Sequence, residues 1–108
     1  MTKDEMKQWL EGEIANFPER ASGEEGYRFM LRQTARALDA DRQALVEVLR
    51  DWLLLRAEPR TMLAVEIAAS HHVDELRNDI EELLEDVKEG EAFKPHYVRP
   101  IMEALSRI

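Results

Sequence analysis

Between Glu58 and Gly90 the chain reads as two helices back to back, parted only by a few residues around Asp74. The first, from Glu58-Pro59-Arg60 to Ser70-His71-His72, is rich in Ala and aliphatic residues. The second carries Leu76, Ile80, Leu83, Leu84 and Val87 as a narrow apolar seam in an acidic background. A linker this short sets two helices antiparallel. A helix that is apolar over most of its girth must be covered on most sides. Together these demands select helical-hairpin architectures, which usually bind partners rather than perform chemistry.

The 3.6-residue spacing of apolar positions predicts six helices and no strand, hence an all-α fold. The first, about Lys3 to Asn16, carries Met6, Trp9, Leu10, Ile14 and Phe17; Thr2 with Glu5 forms a capping box and Pro18 closes the helix. The second, about Glu24 to Leu38, is capped by Ser22 and groups Tyr27, Met30, Leu31, Thr34, Ala35 and Leu38. The third, Asp41 to Arg56, has Ala44, Leu45, Val48, Leu49, Trp52 and Leu53 as its seam, widened by Leu54 and Leu55. Pro59 falls in the first turn of the fourth, where its missing N–H costs nothing. Asp74 is the expected cap of the fifth, which stops at Gly90. The last occupies residues 94–108, from about Pro95 to Ile108, and Pro100 should kink it or delay its start. At 108 residues, residues 1–108 are expected to form a single helical-repeat domain, with the 3–16 helix as an N-terminal cap.

A weak internal repeat accompanies these helices. Shifted by 35 residues, Leu45, Val48, Leu49 and Trp52 fall on Ile80, Leu83, Leu84 and Val87; shifted by 33, Met30, Thr34, Ala35 and Leu38 fall on Leu63, Ile67, Ala68 and His71. Helix–turn–helix units recurring at about 35 residues are the mark of an α-solenoid. From Tyr27 to Ile108 the chain resembles HEAT-like (armadillo-type) helical repeat proteins, on the strength of the Ala-rich Arg60–His71 helix, the short Asp74 turn, the Leu76…Val87 helix and Pro100. It departs from them in that its repeats are few and unequal and its turn aspartate has no basic partner at a regular ladder position. The Trp/Gly/Tyr/Pro signature of tetratricopeptide repeats is absent. The resemblance implies a short stack of antiparallel hairpins serving as a scaffold or binding surface, with no catalytic residue.

Charge narrows the partner. The net charge is −8, and residues 61–93 alone hold ten acidic side chains against Arg77 and Lys88. Seven arginines lie between Arg28 and Arg60. An acidic domain binds phosphate backbones poorly, which disfavours nucleic acid. The longest apolar run, Trp52 to Leu55, is far short of a membrane span. The acidic N-terminus does not read as a secretory signal, and the absence of cysteine fits a reducing compartment; a cytoplasmic location is expected.

Few residues suggest a site. His71 and His72 project about 100° apart on a helix, no His pair has i,i+4 spacing and no thiolate is present, so no metal site is expected and helix capping is the better reading. Asp79, Glu82 and Asp86 line one flank of the acidic helix, with Glu81 and Glu85 on another; they read as a solvated face or a dock for a basic partner. Arg28, Arg32 and Arg36 stand at successive i+4 positions, where like charges oppose a helix by roughly 0.2–0.5 kcal/mol per pair. Glu24 and Glu25 can serve Arg28, but no acid lies four residues from Arg32 or Arg36. Phe29, beside this row, is a candidate contact anchor or packs under the first helix. Trp9 and Trp52 read as core.

No phosphate loop, nucleophile–base motif or metal constellation is visible, so neither enzyme activity nor a cofactor is expected. The expected function is that of a protein-interaction or adaptor domain, binding a protein partner through Arg28, Phe29, Arg32 and Arg36, through Asp79, Glu82 and Asp86, or both. The alternative is a structural homo-oligomer. It would be a homodimer through the terminal helix, or an assembly in which the acidic segment meets the arginine segment of a neighbour.

Overall fold

The computed structural model describes residues 1–16 and 23–108. The expected role of Phe17 in the first helix, its stop at Pro18 and the Ser22 cap fall outside the described residues. Among the described residues there are five α-helices, α1 (Lys3–Ala15), α2 (Gly23–Leu55), α3 (Glu58–Ser70), α4 (Arg77–Lys88) and α5 (Val98–Arg107), and no strand. Two 3₁₀ turns, Asp74–Leu76 and Pro95–Tyr97, lead into α4 and α5.

The count is five rather than six because the second and third expected helices run together as α2. Only Asp41 leaves helical geometry, at φ −162° and ψ 88°. Its carboxylate accepts the Ala44 N–H at 3.1 Å, as a helix cap does, so the kink carries its own cap and the helix resumes at once. That hydrogen bond, aided by the Met1 amino group 3.4 Å away, holds the Asp41 carboxyl below the usual carboxylate range.

The described residues gather into two compact units, Met1–Val48 and Leu49–Ile108. In the first, the Thr2–Glu5 capping box forms as its residue types dictate: Glu5 N–H reaches the Thr2 hydroxyl at 3.1 Å and Thr2 N–H reaches the Glu5 carboxylate at 3.0 Å. These bonds hold the Glu5 carboxyl below its ordinary range. With Met1 at Asp41 and α1 leading toward the start of α2, the two helices run antiparallel. Met6 and Leu10 of α1 are fully buried, as are Thr34, Leu45 and Val48 of α2.

In the second unit α3 is covered on most sides, burying Thr61, Ala64, Val65, Ile67, Ala68 and Ala69, as its alanine-rich composition requires. Ile80, Leu83, Leu84 and Val87 of α4 are buried as the apolar seam predicts. Leu54 and Leu55, expected to widen the seam of α2, are instead exposed at 56% and 61%, because the chain turns away at Arg56 and leaves them outside. Helix α5 packs against both α3 and α4 and buries Ile101 and Ala104. Pro100 lies in its first turn, and the start is delayed to Val98 behind the Pro95–Tyr97 turn.

Chain reversals rest on residues in the left-handed region. Gly90, at φ +77°, ends α4 with Glu91 N–H on the Asp86 carbonyl (2.8 Å) and Gly90 N–H on the Val87 carbonyl (3.2 Å). The same pair of bonds ends α3, where His72 takes the glycine-like position at φ +53°. Asp74 does not cap α4: it opens the 3₁₀ turn, and α4 follows Leu76 with no side-chain cap. The tight reversal at His72 accounts for this, since Asp74 N–H is bonded to the His72 carbonyl and Leu76 N–H to that of Val73.

Candidate functional site

The arginine row lies on the N-terminal half of α2. Arg28, Arg32 and Arg36 are all exposed. Arg28 is neutralised by Glu24 at 2.7 Å, a pair made available by the i,i+4 spacing. Neither Arg32 nor Arg36 has an ion-pair partner among the described residues. Phe29 is half-buried and makes contacts of its own, so it does not stand clear of the surface.

The acidic helix is divided in use. Asp79 accepts from Arg50 Nε at 3.1 Å and is largely covered. Asp86 Oδ2 takes two N–H groups of Arg56, at 3.1 and 2.7 Å, while another Arg56 N–H holds the Leu53 carbonyl at 2.8 Å. Arg50 also donates to the Glu75 carbonyl at 3.3 Å. Two of the three flanking carboxylates are therefore occupied inside the Leu49–Ile108 unit, and only Glu82 remains exposed beside Glu81 and Glu85. Sequence reasoning did not find these pairs, because their members are 29 and 30 residues apart and no local spacing announces them.

The ion pairs also report direction. Arg50 meets Asp79 and Arg56 meets Asp86, so the end of α2 and helix α4 run parallel. Likewise the far ends of α3 and α5 meet: His72 Nδ1 lies 2.6 Å from the Arg107 carbonyl, and Arg107 reaches Glu66 at 3.2 Å. A carbonyl oxygen only accepts, so His72 Nδ1 carries the proton. His71 is the C-terminal cap residue of α3. His96 stacks on Tyr97 with ring centres 4.4 Å apart and takes no part in this cluster.

Asp86, Glu89 and Glu91 bring carboxylate oxygens within 4.8 Å of one another. Glu89 and Glu91 are exposed and Asp86 is held by Arg56, an arrangement of solvated acids at a helix end.

A second feature was missed from the sequence. Between α1 and α2 lies a groove of about 350 Å³, lined by Met1, Met6, Trp9, Glu13, Gln33, Arg36, Ala37 and Ala40. Trp9, expected in the core, is half-buried on its wall, one step off the Met6–Leu10–Ile14 seam. Trp52 is buried as expected. The groove thus receives Arg36, the last member of the arginine row. Comparison with protein-family profiles, with curated proteins and with solved structures finds no match for this chain.

Proposed function

We propose that this chain is a small HEAT-like interaction module, without catalytic activity, that docks an acidic segment of a protein partner on the arginine row of α2. The observation that carries this reading is the unequal fate of the two charged surfaces. Asp79 and Asp86 are engaged by arginines of their own unit, while Arg32 and Arg36 stand exposed with no counter-ion among the described residues. A desolvated carboxylate would be held there in a planar fork, which lysine does not supply. Arg28 and Phe29 flank the contact, and Glu82 with its exposed neighbours steers the approach of the partner.

The parallel course of α4 beside the end of α2, and the meeting of the ends of α3 and α5, support the repeat-like reading, since successive hairpins of a solenoid place equivalent helices side by side. The test is affinity capture from native lysate, comparing wild type with Arg28/Arg32/Arg36→Ala and with Glu81/Glu82/Glu85→Gln. A specific partner lost only from the arginine variant is the expected result. A partner lost only from the acidic variant overturns the assignment of the surface. Recovery of the chain alone, equally from all three, favours the homo-oligomer instead.

A further inference from the structure

We infer that the groove between α1 and α2 is a specificity pocket that accepts a large apolar side chain from the acidic segment docked on the arginine row, an inference that rests on the module reading above. Three independent features of the groove point this way. Its volume of about 350 Å³ falls in the range of ligand pockets, and its lining combines apolar walls with a few polar groups, as such pockets do. Trp9 offers a partly exposed aromatic face, a side-chain type that anchors much contact energy, above the fully buried Met6. Gln33 lines the same groove, and its side-chain oxygen is shut off from solvent with no hydrogen-bond partner among the described residues.

An unmade hydrogen bond at a buried oxygen is costly, so Gln33 sits in an unfavourable state that an occupant can relieve. A backbone N–H of the entering segment can supply the donor that this oxygen lacks. The charges set polarity. Arg36, on the α2 wall, is unpaired among the described residues and attracts a carboxylate next to the anchor residue. Glu13, on the α1 wall and likewise unpaired among them, repels a carboxylate from the opposite side. The occupant is therefore a peptide segment with an aromatic or large aliphatic residue, an acidic neighbour on the Arg36 side and a free N–H toward Gln33.

The two tryptophans make the test site-specific, since Trp9 lines the groove and Trp52 is buried in the other unit. Capped dipeptides are titrated at millimolar concentration into the ¹⁵N-labelled full chain while the two indole N–H signals are followed. N-acetyl-Phe-Asp-amide should move the Trp9 signal and leave Trp52 still; N-acetyl-Phe-Asn-amide should bind several-fold more weakly at low salt, and N-acetyl-Gly-Asp-amide should not move Trp9. Ala37→Met, which fills the groove, should abolish the response. Gln33→Leu should weaken it roughly tenfold, the worth of one buried hydrogen bond, while its spectrum stays dispersed, so that loss of binding is not loss of fold. No Trp9 response to the Phe peptides, equal movement of both indoles, or an unchanged response in both variants overturns the inference. In the lysate assay, a partner lost from the arginine variant but retained by Ala37→Met leaves the module reading standing and sinks the pocket. Dipeptide binding at Trp9 with no partner captured supports the pocket and sinks the module reading.

Discussion

Thr61 is one of only two buried polar or charged residues among those described, and its hydroxyl joins two helix ends. It donates to the Trp52 carbonyl at 2.7 Å and accepts the Ala57 N–H at 3.0 Å. The first group is left over at the end of α2 and the second at the start of α3, where Ala57 occupies the cap position without a side-chain oxygen. Thr61→Val keeps the shape and removes both bonds. A buried carbonyl without a partner costs about 1–3 kcal/mol, and the half-buried amide loses a bond worth about 1. The expected loss is about 2–4 kcal/mol, or a fall in thermal midpoint on the order of 10–20 °C for a chain of this size. Thr61→Ser keeps the hydroxyl and removes only a buried methyl, for about 1 kcal/mol. Urea and thermal melts of the two variants decide the matter: if Val is tolerated as well as Ser, the hydroxyl does not hold the turn and the reasoning fails.

Three further outcomes follow from the same structure. Arg56→Lys should cost about 1–2 kcal/mol in urea melts, because one ammonium cannot replace the N–H groups shared between Asp86 and the Leu53 carbonyl; Arg28→Lys, at an exposed pair, should change stability by less than about 0.5 kcal/mol. Gly90→Ala should lose about 1 kcal/mol by thermal melting, and through backbone strain alone, since an added Cβ there meets nothing within 4 Å while φ is +77°. Glu5 and Asp41 both titrate below their ordinary values when folded, so the stability they lend is complete above the unfolded carboxylate range of about 4 and is lost as pH falls through and below it. Asp41→Asn keeps the acceptor for Ala44 without its titration, and its melting temperature should fall less than that of wild type below about pH 4.

What could be read from the sequence was whatever depends on residues a few positions apart. Thr2 and Glu5 announce the start of α1, the spacing from Leu76 to Val87 fixes the buried face of α4, and Gly90 marks its end, because caps, seams and left-handed stops are local chemistry. The boundary expected between the second and third helices falls at the kink of α2. Asp41 carries a genuine cap signal, and its bond to the Ala44 N–H caps the second half of α2 across that kink. Asp74 carries the same signal and is overruled by the reversal at His72, a position where glycine would have given notice and histidine does not. The surfaces were the least legible part. Asp79 and Asp86 look identical to Glu82 along the chain, and only the approach of Arg50 and Arg56 from across the fold distinguishes acids that hold the structure from one that faces outward. The groove is hidden for the same reason. Trp9 and Gln33 belong to different helices, and neither a half-covered indole nor a buried amide oxygen without a partner has any signature until the two helices lie side by side. A row of like charges was nevertheless visible from its spacing, and the antiparallel course of α1 along α2 places its last member, Arg36, in the lining of that groove.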